Sequence, residues 1–139
     1  MSIFNGLQIN ASGLSLERMK LDVASTNIAN VNTTRTVEGG PYKKKTVEFS
    51  ENLRQAQGTN KITSAGVKVT NIAEDNTTKL TYDPTNPDAD ANGYVEMPNV
   101  NMADEMVDMI QAMRTYEANV SSTEANKNIL KKALEISKD

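Results

Sequence analysis

The sequence contains no cysteine and no histidine. Without these side chains the protein cannot form disulfides, use thiolate or imidazole catalysis, or build the usual zinc sites. Tryptophan is also absent and aromatic residues make up only 4% of the chain, so the middle of the chain can support only a small core. Any catalysis would depend on carboxylates, lysine, serine, threonine or tyrosine, and no local spacing arranges these into an acid–base pair. We therefore predict that the protein is not an enzyme.

Long apolar runs are missing as well. No run of about 18 apolar residues is present, so the sequence predicts no membrane-spanning helix. The first residues lack a basic segment followed by an apolar segment, and we expect no cleavable secretory signal. The net charge is −3, and the short basic run Lys43–Lys45 is typical of a solvated strand edge, so we expect no binding to nucleic acid.

One stretch resembles a metal site in part. Residues 88–93 match the first half of an EF-hand calcium loop. The twelfth position, which should be a bidentate glutamate, is Asn99, and Pro84, Pro87 and Pro98 stand where the flanking helices would begin and end. We therefore expect an ordered acidic turn here, with no metal, no cofactor and no small-molecule substrate.

The last third of the chain has the longest apolar pattern. From Met102 to Leu134, apolar residues recur at alternating steps of four and three, which predicts a long helix with one seam that packs on a partner. Asn101 is suited to cap its start. A groove of methionines for peptides is an alternative, but the periodicity continues past the methionines and favours a packed seam. The seam consists of Met102, Met106, Met109, Met113, Tyr116, Val120, Thr123, Lys127, Leu130 and Leu134.

The first 30 residues predict a second long helix that has two apolar stripes. Residues seven apart share a helix face, and two such sets occur: Leu7, Leu14, Leu21 and Ile28, and Ile9, Leu16 and Val23. The stripes lie on nearly opposite faces, because positions two apart differ by about 200° around a helix. A helix in the middle of a bundle within one chain would explain both stripes. However, the sequence offers only one other long helix, so the second stripe lacks a partner within the chain. We therefore expect packing between subunits, with both stripes and the apolar seam residues from Met106 to Leu134 at the subunit interfaces.

The middle of the chain is predicted to form a β-rich insert. Alternation in residues 66–73 and again in 77–82, across a turn, predicts a hairpin, with further extended segments at 42–49 and 93–97. The expected fold is mainly α with a small β insert, in which long N- and C-terminal helices form a coiled-coil-like axial core. The expected parts are residues 1–36, 37–100 and 101–139.

Two stretches resemble the terminal motifs of bacterial flagellar rod and hook proteins. One is centred on Asn27–Thr33, which reads Asn-Ile-Ala-Asn-Val-Asn-Thr, and the other lies within Gly93–Asn119. The segment 82–84, Tyr-Asp-Pro, narrows the resemblance to subunits of the proximal rod, although Asn86 stands where that family often has histidine. The motif residues are Asn27, Ala29, Asn30, Asn32, Thr33, Asp83, Pro84, Gly93, Tyr94, Val95, Pro98, Asn99, Asn101, Arg114, Tyr116 and Asn119.

The resemblance implies a self-assembling structural subunit of the flagellar basal-body rod, which transmits torque and has no enzymatic activity. It also implies partners: other rod subunits and basal-body proteins, further copies of the chain, and the flagellar type III export apparatus. The implied location is the periplasmic rod, reached by export without a cleavable signal peptide. From a different class, a cytoplasmic coiled-coil adaptor or export chaperone is the alternative.

Overall fold

The structure, a computed structural model, describes residues 3–55 and 62–136. Two long helices stand at the ends of the chain and a β-rich segment lies between them, as the sequence predicts. The elements in chain order are α1 (Ile3–Ala29), β1 (Lys44–Gln55), β2 (Ile62–Asp75), β3 (Thr78–Tyr82), β4 (Tyr94–Pro98) and α2 (Met102–Ile136).

The strands form two separate antiparallel pairs, β1 with β2 and β3 with β4. The expected hairpin between residues 66–73 and 77–82 is therefore wrong. β2 pairs with β1 over almost its whole length, which places Val47 opposite Ile72 and lets apolar side chains meet across the ribbon. An isolated 77–82 segment, by contrast, would have covered only a fraction of β2.

The chain turns away from the β1–β2 ribbon at Asp75. The carboxylate of Asp75 accepts hydrogen bonds from the backbone N–H of Thr77 at 2.9 Å and from its hydroxyl at 2.8 Å. An aspartate that binds the backbone two residues on makes a turn of its own, which redirects the chain toward β4 instead of folding it back along β2.

The two helices pack antiparallel, and small or polar residues line the seam between them. The side-chain amide of Asn10 donates to the hydroxyl of Ser122 at 2.9 Å. The amide of Asn119 fills the space beside Gly13, where a Cβ atom would lie 2.9 Å from its nitrogen. Large side chains would hold the helices further apart, so glycine permits this approach. The predicted methionine seam lies beside this contact and does not form it.

The β1–β2 ribbon packs on a different face of α1, at Gly66. The hydroxyl of Ser12 accepts the backbone N–H of Val67 at 3.1 Å and donates to the carbonyl of Ile9 at 2.7 Å. One turn further along the same face, Leu16 is only 5% exposed. The stripe that contains Ile9 and Leu16 therefore has a partner within the chain, and the expectation that it lacks one is corrected. The partner is the β ribbon, which the periodicity of the helices does not reveal.

A substitution at Gly66 would test whether stability depends on the close approach of the ribbon to α1. Its φ is +99°, and a Cβ atom there would collide with Ser12 Oγ and lie 3.2 Å from Ile9 Cα. We expect Gly66→Ala to lower the free energy of unfolding by about 3 kcal/mol, through overpacking and backbone strain together. The measurement is urea denaturation followed by circular dichroism.

The matched control is Gly39→Ala. Gly39 also has a positive φ, +89°, but a Cβ atom there would meet nothing within 4 Å. The Gly39→Ala substitution therefore introduces backbone strain without a collision, and we expect it to lower the free energy of unfolding by about 1 kcal/mol. Equal losses from the two substitutions would mean that the approach of the ribbon to α1 contributes nothing.

Candidate functional site

A buried polar network joins the end of α1, the start of β1 and the start of α2. The side chain of Asn27 is 1% exposed. Its amide nitrogen donates to the carbonyl of Lys45 at 2.8 Å and to Oε2 of Glu105 at 2.9 Å. Its amide oxygen accepts from the hydroxyl of Tyr42 at 2.8 Å and from the N–H of Lys45 at 2.9 Å. Lys44 completes the network with an ion pair to Glu105 at 2.7 Å.

Every hydrogen-bonding position of the Asn27 amide is used, since the amide has two donor hydrogens and two acceptor lone pairs. Asn101 sets the helical position of Glu105: its side-chain oxygen caps α2 by accepting the N–H of Ala103 at 3.1 Å, and its carbonyl accepts the N–H of Glu105 at 3.1 Å. The predicted N-cap is confirmed. The network therefore fixes where the helix hairpin meets the β1–β2 ribbon.

The other residues of the first motif shape the end of α1. Asn30 donates from its side chain to the carbonyl of Thr26 at 2.9 Å and accepts the Thr33 hydroxyl at 3.2 Å. The carbonyl of Thr33 accepts the N–H of Tyr42 at 3.0 Å, which brings Tyr42 back toward Asn27. Ala29 and Asn32 are exposed.

The stretch that resembles half a calcium loop is an ordered acidic turn, as expected. The hydroxyl and the N–H of Thr85 bind the carboxylate of Asp83 and hold its pKa below 3.8. The N–H groups of Tyr94 and Asn92 do the same for Asp90, at 2.9 and 2.8 Å. These carboxylates satisfy backbone donors of their own loop. In the described ranges, no group of three or more carboxylates is arranged to hold a metal ion.

The remaining residues of the second motif fix the approach to α2. Gly93 and Tyr94 stand at the start of β4, and the Tyr94 ring lies edge-on to Tyr82 with 5.3 Å between centroids. Pro84 follows Asp83 in the loop. Val95 and Pro98 are buried, and the side chain of Asn99 donates to the Thr77 hydroxyl at 2.8 Å.

Many apolar side chains of α2 stay exposed. Met106 and Met113 are 46% and 47% exposed, and Tyr116 is 37% exposed. Met102, Val107, Ile110 and Leu134 are exposed too, whereas Met109, Val120 and Leu130 are half-buried at the edge of the α1–α2 seam. Within the second motif, Arg114 is exposed next to these residues and Asn119 lies in the seam.

The first stripe of α1 extends the same surface. Leu7, Leu14, Leu21 and Ile28 are all half-buried. The Ser25 hydroxyl lies 3.9 Å from the Met109 sulfur, on the side of the hairpin opposite the groove that β1 lines. Helical spacing of about 100° per residue puts the stripe of α1 and the methionines of α2 on that side. We name this surface the apolar face; it consists of Leu7, Leu14, Leu21, Ile28, Met102, Met106, Met109, Met113, Tyr116 and Val120.

The apolar face offers packing area and no chemistry. Large exposed apolar surfaces are typical of contacts with other molecules. Within residues 3–55 and 62–136, no helix combines the length and the apolar composition that a membrane crossing requires. The apolar stripes are visible in the sequence, but the buried network is not. The one sequence signal of the network is the polar Asn27–Thr33 block after an apolar helix, and such a block is typical of a simple helix end.

The network predicts a large effect for one side chain. Asn27→Ala leaves the Lys45 backbone groups, the Tyr42 hydroxyl and the Glu105 carboxylate without their partner. Unpaired buried polar groups are costly, so we expect a loss of about 3 kcal/mol in the free energy of unfolding. The control is Asn32→Ala, in the same motif but exposed, where the change should stay within about 0.5 kcal/mol. Similar losses in urea titrations of both variants would rule out this role for Asn27.

The network also predicts instability at alkaline pH. Its hydrogen bond to Glu105 raises the pKa of Lys44 above 10.5, and burial, then Glu105 and Glu74, raise the pKa of Tyr42 above 10.0. Both groups hold their protons more tightly when folded, so their contribution is complete below the unfolded pKa values and is lost as pH rises through the folded ones. Urea midpoints should therefore hold up to about pH 10 and fall as the pH rises above it. Tyr42→Phe should reduce that fall, and an unchanged fall would contradict the assignment to Tyr42.

Comparison with known proteins gives matches at both ends and over the full length. Residues 7–35 match the family model described as flagella basal body rod protein, and residues 91–136 match the one described as flagellar basal body rod FlgEFG protein C-terminal. Flagellar basal-body rod protein FlgC of Bacillus subtilis is 43% identical, over 99% of this chain and 100% of that protein. The proteins of the same description from Borreliella burgdorferi and Salmonella typhimurium are 39% and 38% identical, with at least 96% of each chain covered.

The two matched segments contain the motifs at Asn27–Thr33 and Gly93–Asn119, so the resemblance found in the sequence is confirmed. The relatives are rod proteins, which does not favour the adaptor or chaperone alternative. The chain belongs to the FlgC family of flagellar basal-body rod proteins and is a structural subunit of the rod.

Proposed function

We propose that the subunit assembles by burying its apolar face against the helices of neighbouring subunits, and that the packed helices transmit torque along the rod. The observation that carries this proposal is the distribution of apolar residues between the two sides of each helix. The seam inside the hairpin uses glycine, alanine and amide side chains, while methionines, leucines and a tyrosine stay outside it. A protein that was complete as a monomer would place its large apolar side chains inside.

The free energy of burying apolar side chains also favours packing of the apolar face against neighbouring subunits. Burying one exposed Leu or Met side chain stabilises a contact by about 1.5–3 kcal/mol before the costs of association. Half-buried residues contribute less, but the apolar face spans about 20 residues of each helix, roughly 30 Å. Neighbouring hairpins packed along this length would form the expected coiled-coil-like axial core. Many such contacts in series resist twist and bending, and no chemical step is involved.

The proposed interface residues are those of the apolar face together with the distal leucines of α2. In full they are Leu7, Leu14, Leu21 and Ile28 of α1, and Met106, Met109, Met113, Tyr116, Val120, Leu130 and Leu134 of α2. Ile9 and Val23, from the second stripe, lie beside the ribbon, and Leu16 serves packing within the subunit. Residues 1–36 and 101–139 would then form the axial parts of the chain, and 37–100 the part that sets the spacing between them.

The partners follow from this role. We infer contacts with other rod subunits, with basal-body proteins and with further copies of the chain, and export through the flagellar type III apparatus to the periplasmic rod. Membership of the rod family supports the basal-body location. The arrangement requires no cofactor, and we infer no catalytic role.

The test places a charge on the apolar face without disturbing the fold. Met113 is 47% exposed, so Met113→Glu should change the free energy of unfolding by less than about 1 kcal/mol. Burying the new carboxylate against a neighbour would be costly, so we expect secretion at the normal level but no incorporation into basal bodies, and loss of motility. Immunoblots of purified basal bodies and swimming assays measure these outcomes.

Ser121→Glu is the matched control, because Ser121 is an exposed polar residue of the same helix. It should be incorporated as the natural chain is. Normal swimming by the Met113→Glu strain would show that the apolar face is not buried in the rod.

A further inference from the structure

Most methionines of the chain stand in the first part of α2. The chain has seven methionines, and four of them are Met102, Met106, Met109 and Met113. Steps of four and three residues put all four on one side of the helix. Leucine has a similar volume and helix propensity, and the stripe of α1 that extends the apolar face uses leucine and isoleucine instead. Packing alone therefore does not require methionine here, and the thioether adds a chemical property that leucine lacks.

Three of these thioethers are accessible in the single subunit. Met102, Met106 and Met113 are 45%, 46% and 47% exposed, whereas Met19 and Met97 are half-buried. The chain contains no cysteine, whose thiolate would otherwise react first with an oxidant, and no tryptophan or histidine. An exposed thioether is therefore the most readily oxidised group that the sequence offers.

Met109 differs from the other three methionines of α2. It is half-buried, and the Ser25 hydroxyl donates a hydrogen bond to its sulfur over 3.9 Å. An oxygen added to this sulfur would have a hydrogen-bond donor within its own subunit. The candidate modification site therefore consists of the three exposed methionines.

Hydrogen peroxide converts a thioether into a sulfoxide by transfer of one oxygen atom. A sulfur lone pair attacks one peroxide oxygen, and the O–O bond breaks as the S–O bond forms. The released hydroxide takes the proton of the transferred oxygen and becomes water. The sulfur loses two electrons to the peroxide, so the reaction needs no other oxidant. The product is a polar side chain in place of an apolar one, and methionine sulfoxide reductases reverse the reaction.

We propose that Met102, Met106 and Met113 form a peroxide-sensitive modification site, and that their oxidation to the sulfoxide keeps the subunit out of the rod. The inference rests on the proposed burial of the apolar face against neighbouring subunits. Among the side chains of that face, only Tyr116 carries a hydrogen-bond donor, so most sulfoxide oxygens would be buried without a partner. Oxidation acts before assembly, while the face is exposed, and neighbouring subunits then protect the chains already in the rod.

Oxidation of the purified full chain tests the accessibility of the site. The chain is treated with hydrogen peroxide for increasing times, and peptide mass spectrometry measures the sulfoxide fraction at each methionine. We expect the three exposed methionines to oxidise about three times faster than Met19 and Met97, because peroxide reaches exposed sulfurs more easily. In urea, where the fold is lost, the rates should converge. Equal rates in the folded chain would overturn the proposal.

Incorporation into basal bodies tests the consequence of oxidation. The natural chain and a variant with Met102→Leu, Met106→Leu and Met113→Leu are expressed together with different tags, with and without sublethal hydrogen peroxide. Without peroxide the two tags should be equally abundant in basal bodies, since leucine fills a similar volume. With peroxide we expect the ratio to rise about threefold in favour of the leucine variant. A variant with Met19→Leu and Met97→Leu is the control and should gain no such advantage.

The outcomes separate the modification site from the rod role. An unchanged ratio of tags, with sulfoxide present in the free natural chain, would overturn the proposal and leave the rod role intact. Sulfoxide at the same fraction in assembled and free chains would do the same. Should the triple variant be incorporated poorly even without peroxide, Met113→Leu alone replaces it, and the same ratio decides. Failure of the proposed assembly itself would be seen without any oxidant, as normal incorporation of Met113→Glu.

Discussion

The hydrogen bonds of the Asn27 side-chain amide are the interaction on which the rest of the structure depends. The amide bonds the Lys45 backbone of β1 as a neighbouring strand would, and it bonds Glu105 of α2. Its own position is fixed by the last turns of α1. Its bonds are worth more together than singly, because each partner is buried and would otherwise be unpaired. A polar network of this kind costs desolvation, but it accepts only one arrangement of three elements, whereas apolar contacts tolerate several.

The division of residue types between the two sides of the hairpin follows from this. Since the buried network fixes the base, the seam between the helices does not need large apolar side chains, and glycine and asparagine suffice along it. The large side chains are then free for the apolar face. A subunit built in this way can be stable enough to keep its shape while it still carries most of its packing potential on the outside, as a subunit of an assembly requires.

How much of this the sequence predicts depends on the range of the interaction. The helices at the two ends are predictable, because capping by Asn101 and the recurrence of apolar residues are local signals. The pairing of β2 with β1 is not predictable, because alternation indicates a strand but not which strand it pairs with. The packing of Leu16 under the ribbon cannot be predicted for the same reason. The Asn27 network is the hardest feature to predict from the sequence. Asn27 is 18 residues from Lys45 and 78 from Glu105, and these polar residues show no periodicity that would link them.

The seam has a further property that comes from its spacing. Gly6 faces Asn126 and Gly13 faces Asn119, so both helices repeat their contact residues every seven positions. A slide of α1 by one repeat, about 10.5 Å along α2, would bring Gly13 opposite Asn126 and restore the same kind of contact. The glycine–asparagine contacts alone therefore leave the register of the hairpin ambiguous. The contacts that do not repeat select one register: the Asn10–Ser122 hydrogen bond along the seam, the Ser12–Val67 hydrogen bond to the ribbon and the Asn27–Glu105 hydrogen bond at the base. They therefore set the length by which each subunit projects.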